Sequence, residues 1–316
     1  MTTELTVTTP SPRWLALLAL AAFLNAPALA DEVKTGAKKH VLLVTHSGGF
    51  LHDSVGVAED TLKKLAPAHN LIVTCYRFTG DPTARVKVKD KKDGPERETS
   101  ALEAYSAKYR ERTGKSVEAE NCGRINKETL KHFDCVLFFT TGDPVTKDEL
   151  ADLLDWVKAG GAFAGTHCGA DTLYSQPAYG DLVGAYFRTH PPGLQKVNVK
   201  VEDSKHPAAA AFASGGIYED EIYIFKDAPY SRDKLHIILS ADGFKPTNGK
   251  NDIARKDGDY ALSWCKESGK GKVFYTAFGH QKKVWEDAKF QAHLLGGLKW
   301  AMGQVPGDAT PSGAAK

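Results

Sequence analysis

The sequence lacks an excess of charge of either sign. Its 41 lysines and arginines stand against 39 aspartates and glutamates, a net charge of +2. Such a surface has no general attraction for nucleic acid or for an anionic membrane, so neither is an expected partner. Cysteine is sparse and unpatterned: Cys75, Cys122, Cys135, Cys168 and Cys265 are odd in number and form no CxxC. That argues against a disulfide framework, and most of these thiols are expected to pack as small apolar groups. No internal repeat is visible, no apolar run after residue 30 is long enough to span a bilayer, and no helical H-x-x-x-H pair offers a ready metal clamp.

What is present is ordinary globular composition, 42% hydrophobic and 25% charged over 316 residues. This length suits one large domain, or one domain with an insertion, whose core needs no covalent staples. The first thirty residues read as a secretory signal peptide. Arg13 precedes the short apolar run WLALLALAAFL, and Ala28-Leu29-Ala30 offers a small-residue cleavage site before Asp31. The mature chain is therefore expected to be periplasmic or extracellular and free of the membrane, with 31–39 as a linker; an uncleaved N-terminal anchor is the alternative. The tail 304–316, QVPGDATPSGAAK without its first residues' helical pattern, is expected to be disordered.

Between these ends the pattern is α/β. The run HVLLVT (40–45) is almost wholly apolar, as a parallel strand covered on both faces requires. Leu71–Tyr76 reads as a second strand. The clearest segment is 134–167, where CVLFFTT, a capping box of Thr146 and Glu149, a stripe of Leu150, Leu153, Leu154 and Val157, and Ala162–Thr166 make a right-handed strand–helix–strand unit. Further strands are expected at Val197–Val201, Glu221–Phe225, His236–Ser240, Tyr260–Lys266 and Lys272–Phe278, and a last helix from near Asp287. Residues 81–98 interrupt the order with six basic and five acidic side chains. They are expected to form a solvated loop within an insertion spanning about 81–124, with a helix begun by Ser100 and Glu103; a lid is the alternative reading.

Ligands of open α/β sheets bind beyond the carboxyl ends of the strands. His46 to Asp53 follow the first strand, and Thr166 to Asp171 follow the strand at 162–166; His190, Asp220-Glu221 and Gly279-His280 come later. In Gly165-Thr166-His167-Cys168-Gly169 the glycines permit a tight turn that presents its central side chain. That side chain is His167, expected to be exposed; Cys168 is one residue off and should point elsewhere.

The strings GGFLHDS (48–54), GGAFAGTHCGADT (160–172), YGDLVGAYFRTHP (179–191), SKHP (204–207), EDEIY (219–223), GKVFYTAFGH (271–280) and LLGGLKWA (294–301) occur in an order that resembles the ThuA-like, or trehalose-utilisation, family. The resemblance spans roughly 40–303. It implies a flavodoxin-like, class I glutamine amidotransferase-like fold: a mostly parallel sheet with helices on both faces, here carrying a charged insertion, and with histidine where the nucleophilic cysteine would sit. It also implies a link to trehalose or a related glycoside or keto-sugar.

The matched strings carry the candidate site. His167 and Glu221 are the candidate catalytic pair. His52, His190 and His280, with Phe50, Asp171 and Tyr223, are the candidate substrate-binding residues. His52, His167, His190 and His280 could hold a divalent ion such as Zn²⁺, since imidazole suits that metal. A metal-free polar pocket is the competing reading, because the same groups bind hydroxyls and move protons. Three functions stay open: an exported enzyme acting on a small-molecule sugar as hydrolase, lyase or isomerase; a non-catalytic sugar-binding module; and amidotransferase or peptidase chemistry through a thiol.

Overall fold

A computed structural model describes residues 37–89, 94–249 and 251–313. The expected signal peptide and most of the linker lie outside the described residues. In chain order the strands are β1 (Lys39–Val44), β2 (Leu71–Tyr76), β3 (Arg85–Lys89), β4 (Glu96–Ser100), β5 (Cys135–Phe138), β6 (Ala162–Thr166), β7 (Phe187–Thr189), β8 (Gln195–Val201), β9 (Gly216–Asp220), β10 (Ile224–Phe225), β11 (His236–Asp242), β12 (Thr247–Asn248), β13 (Asn251–Asp252), β14 (Ala261–Ser268) and β15 (Gly271–Thr276). The α-helices are α1 (Val55–Leu65), α2 (Ala101–Thr113), α3 (Lys127–Leu130), α4 (Lys147–Lys158), α5 (Pro177–Val183), α6 (Lys282–Glu286) and α7 (Ala288–Ala301). No helix among the described residues is long and apolar enough to cross a membrane.

Nine strands form one sheet in the order β2-β1-β5-β6-β15-β14-β11-β8-β9. The first five run parallel to one another, and β14, β11, β8 and β9 extend the sheet antiparallel. Because antiparallel neighbours alternate, β11 and β9 again share the direction of the parallel block; the sheet is mixed but mostly parallel in strand direction. Period-2 geometry sends alternate side chains of β1 to opposite faces. Val41 and Leu43 pack with α1 residues Val55, Ala58 and Leu62 and α7 residues Phe290, Leu294 and Leu298. Leu42 and Val44 pack on the other face with α4 residues Leu150, Leu153 and Val157 and α5 residues Tyr179 and Leu182. Helices thus cover both faces.

Strand order reverses at β1: β2 lies on one side of it and β5 on the other. That divergence opens a crevice at the carboxyl ends of the strands.

Four expectations need correction. The mixed-charge stretch 81–98 is not wholly loop, since β3 and β4 pair as a hairpin. The sequence RVKVK places Val86 and Val88 on one side and charges on the other, which is a strand pattern that the charge count hides. Glu221–Phe225 is not one strand: β9 ends at Asp220 and β10 begins at Ile224, so Glu221 sits on the connection. His167 is buried rather than exposed. Finally, the tail is held through residue 313. Ser312 N–H donates to Leu235 O, Gly313 N–H donates to Arg232 O, and Ser312 Oγ accepts from Ile237 N–H. These contacts satisfy backbone groups at the start of β11 that would otherwise face no partner.

All five cysteines are free; Cys75, Cys135, Cys168 and Cys265 are buried and only Cys122 is partly exposed. Alkylation of the native protein, read by mass spectrometry, should therefore label Cys122 alone, slowly, because burial raises its thiol pKa. Labelling of the other four should need denaturant. Rapid native labelling at Cys168 would contradict this packing.

Candidate functional site

The loop after β1 brings Phe50 and His52 to the crevice; the turn after β6 brings His167 and Asp171. The connection after β9 brings Glu221 and Tyr223, the loop after β7 brings His190, and the loop after β15 brings His280. Backbone bonds stitch these loops together. Thr166 Oγ1 donates to Phe278 O at 2.7 Å, and Ser54 Oγ donates to His280 O at 2.7 Å. Asp220 Oδ2 accepts from the N–H of Gly279 at 2.7 Å and of His280 at 3.3 Å, fixing the turn that carries His280. Gly279 has φ +125°, and a Cβ there would lie 2.8 Å from Thr166 Oγ1, so this turn requires glycine.

The elbow turn has a different geometry from the one expected. Gly169 is small because a Cβ would lie 2.9 Å from Phe138 O. His167 itself carries the left-handed backbone, with φ +44°, a conformation uncommon outside glycine and found where surrounding structure enforces it. Its ring points under the loops and is fully buried, covered by Tyr223 at 4.2 Å between ring centroids and by His52 and His280 at 4.9 and 5.1 Å.

His167 Nδ1 lies 3.0 Å from Ala277 O, so Nδ1–H donates there and Nε2 keeps its lone pair. Nε2 is 3.3 Å from His280 Nδ1 and 3.3 Å from Glu221 Oε2; the third side of this triangle, His280 Nδ1 to Glu221 Oε2, is 3.4 Å. One donor atom from His52 completes a group of four, all within 4.8 Å of one another. Edges of about 3.3–3.4 Å are those of a tetrahedron whose centre lies about 2.0–2.1 Å from each nitrogen or oxygen. His52 Nδ1 is buried with no hydrogen-bond partner.

The four residues that come together differ from the candidate metal set by one: Glu221 stands in the cluster and His190 beside it. His190 instead reaches the other carboxylate oxygen, with Nδ1 3.4 Å from Glu221 Oε1 and 2.8 Å from Pro191 O. Its Nδ1–H is taken by Pro191 O, so it stands beside the carboxylate and outside the four-residue cluster.

Electrostatics keep the cluster ready to donate electron pairs. Burial, then the nearby charges of His167, His280, Arg112 and His190, holds His52 well below the usual histidine value. Burial and His167 likewise lower His280. Burial alone would raise Glu221, but His167, then His280 and His190, outweigh it where they carry a proton and hold the carboxylate below its usual value. Asp171 differs: burial raises it, against a hydrogen bond from Tyr174. It remains outside the four-residue cluster. Cys168 is buried in the core and its thiol is pushed well above the usual range by burial. Such a thiol is no nucleophile, which removes the basis for amidotransferase or peptidase chemistry through it.

Above the cluster lies a cavity of about 190 Å³ lined by Phe50, His52, Asp171, Phe187, His190, Glu221, Tyr223 and His280. All the sequence-derived site residues line it except His167, which forms its floor beneath Tyr223, His52 and His280. Phe187 is an added wall, its ring tilted at 44° against Tyr223 at 4.2 Å between centroids. A larger cavity of about 570 Å³ lies elsewhere, between Asp227 and Asp259. Its arginines are already engaged, Arg232 with Asp259 and Arg255 with Asp257, so the smaller cavity is the chemical one.

A family model described as "ThuA: Trehalose utilisation" matches residues 40–301. Among solved structures, a ThuA-like protein from Bacteroides uniformis is similar with TM-score 0.56 and 18% identity, over 87% of this chain and 95% of that one. Another, from Parabacteroides merdae, is similar with TM-score 0.53 and 14% identity, over 88% and 96%. At these identities the likeness concerns the fold. No curated protein matches the chain.

Proposed function

Because the chain belongs to the ThuA family, whose description is trehalose utilisation, we propose that it is an exported enzyme of carbohydrate utilisation whose centre is a divalent metal held by His52, His167, Glu221 and His280. The triangle of 3.3, 3.3 and 3.4 Å between His167, His280 and Glu221 carries this reading. Imidazole and carboxylate are donors that suit such an ion, and a metal carrying all four would take a substrate oxygen by expanding to five-coordination. The buried, partnerless His52 Nδ1 is a second reason, since an unsatisfied buried nitrogen is costly unless something binds it.

A metal bound there would polarise a carbonyl or hydroxyl oxygen of the sugar. The remaining work falls to side chains of the chain itself. Phe50, Phe187 and Tyr223 give the cavity apolar walls for the faces of a sugar ring. His190 has its Nδ1–H turned to Pro191 O, so its other nitrogen can take a proton. Asp171, raised by burial, is suited to hold or return one. A glycoside or an oxidised keto-sugar would meet both groups beside the polarised oxygen, as isomerisation, elimination or hydrolysis requires.

Elemental analysis of the purified protein is expected to find about one divalent metal per chain. A chelator should remove it together with turnover of a panel of disaccharides and keto-disaccharides, and Zn²⁺ should restore both. Glu221→Gln should lower metal retention. If the protein neither retains nor takes up metal, the centre is wrong. Sugar affinity with no turnover in the loaded protein would make the domain a binding module.

A further inference from the structure

The inner cavity, about 190 Å³, falls below the roughly 300–1,000 Å³ of sites that enclose drug-sized molecules. It has room for one sugar ring and not for two. Phe50 also lines a second groove of about 340 Å³, with Gly49, Leu51, Lys108, Glu111 and Arg112. We propose that this groove is a second sugar subsite, built by the insertion helix α2, which takes the ring linked to the one held above the histidine cluster. The proposal rests on the carbohydrate reading and adds the size of the ligand and the residues that select it.

Phe50 is 56% exposed, which has no packing explanation for a ring of this size. Its position is nevertheless fixed. Its carbonyl accepts from Thr141 Oγ1 at 2.9 Å, and the Arg112 guanidinium lies 4.9 Å from its ring centroid. A stiffened, exposed aromatic between two cavities suits the apolar face of a sugar ring.

The far wall is also preformed. Tyr109 is fully buried with its hydroxyl 3.0 Å from Thr45 Oγ1, and Tyr105 OH accepts from Ser47 N–H at 2.8 Å. These bonds pin α2 to the end of β1. Lys108 and Arg112 are four residues apart and share the face above Phe50, with Glu111 beside them. Lys108 donates to Gly49 O at 2.9 Å and Arg112 Nε to Leu51 O at 2.9 Å, so both keep further N–H groups for a ligand. Glu111 supplies an acceptor. Donors and an acceptor around an aromatic platform match a ring of hydroxyls, whereas Glu111 would repel a phosphate or carboxylate.

The test is calorimetric titration of the Zn²⁺-loaded full chain with glucose, trehalose and maltose, beside metal analysis of each variant. The loaded wild type should bind at least one disaccharide about tenfold or more tighter than glucose, a readily measured difference. Glu111→Trp fills the groove from an exposed helix position and should erase that preference. Arg112→Ala should reduce it. Glu111→Trp, at an exposed position away from the inner cavity, should leave glucose affinity and metal content unchanged. A disaccharide preference that survives both variants, or a wild type that binds glucose as tightly as the disaccharides, overturns the subsite and leaves the inner site standing. A metal-loaded wild type that binds none of the three sugars overturns the carbohydrate reading and the subsite with it.

Discussion

Replacing His167 with alanine is expected to strip the protein of its metal and to lower turnover by at least 10²- to 10³-fold, beyond the roughly 10- to 100-fold that partners one bond further out command. The reasoning starts from the ring's two nitrogens. Nδ1–H is committed to Ala277 O, so Nε2 is free to ligate, and it stands at two corners' distance from His280 and Glu221. Alanine removes that corner and leaves Glu221 without its nearest partner. Stability should fall as well. An imidazole with no solvent exposure leaves a cavity when truncated, and about 2–3 kcal/mol is the expected scale for such a loss. His167→Asn separates the two effects. Asparagine tolerates φ +44° better than alanine and fills part of the space, so it should lose metal nearly as fully while unfolding at higher urea. Metal analysis and urea unfolding check both variants. Retention of a full metal complement by His167→Ala would remove it from the centre.

The burial of His167 also shows where reading from sequence succeeds and where it stops. The apolar runs of β1, β5 and β6 are visible because a strand covered on both faces has no choice of residue type. Gly165 and Gly169 mark the turn for the same local reason. What covers that turn is not local. Tyr223 and His280 are 56 and 113 residues further along the chain, and only the closed sheet sets them over the ring. The same distance hides the exchange of Glu221 for His190, since Glu221 follows β9 of the large sheet and His190 follows β7 of the small β10-β7 sheet, and only the break between β9 and β10 brings the two sheets' connections together. Composition misleads at the tail, where small and polar residues suggest disorder but the backbone of 310–313 bonds to β11 and the residues before it. In α2 nothing local marks Lys108 and Arg112. Their contacts with Gly49 and Leu51, 59 and 61 residues away, give no periodic signal.

Acid should destabilise the fold steeply between pH 6.5 and 4.5, and the cause lies in histidines away from the metal cluster. His293 is fully buried, with Nδ1 2.7 Å from Ala208 O and Nε2 3.0 Å from Thr276 Oγ1, and burial holds it down to about 4. His206 is also held down to about 4 by burial; its Nδ1 accepts from Ala208 N–H and its Nε2 has no partner. His46, held to about 4 by burial and then by the charge of Lys108, accepts from Thr79 N–H through Nδ1. In each case the unfolded chain, near the ordinary 6.5, takes up a proton before the folded one does. The unfolded state therefore binds more protons throughout this window, and stability rises with pH. The contribution is complete above 6.5 and is lost as pH falls toward 4, on the order of 2–3 kcal/mol for each histidine by pH 4.5. Three such groups approach the 5–15 kcal/mol that a domain has in all. Carboxylates with lowered values act in the same direction below about 4.5, whereas Asp171 and Asp220, raised by burial, act oppositely as the folded state takes up their protons first. Urea unfolding at pH 7.0, 6.0, 5.0 and 4.5, with chelator present to exclude metal release, should show the midpoint falling throughout. His293→Leu should have lower stability at pH 7, having lost two hydrogen bonds, but a shallower slope against pH, with His206 and His46, and His52 and His280 in the chelated protein, supplying what remains. An unchanged slope would show that His293 either stays neutral in both states or charges in the fold without penalty, and a flat wild-type profile would exclude all three.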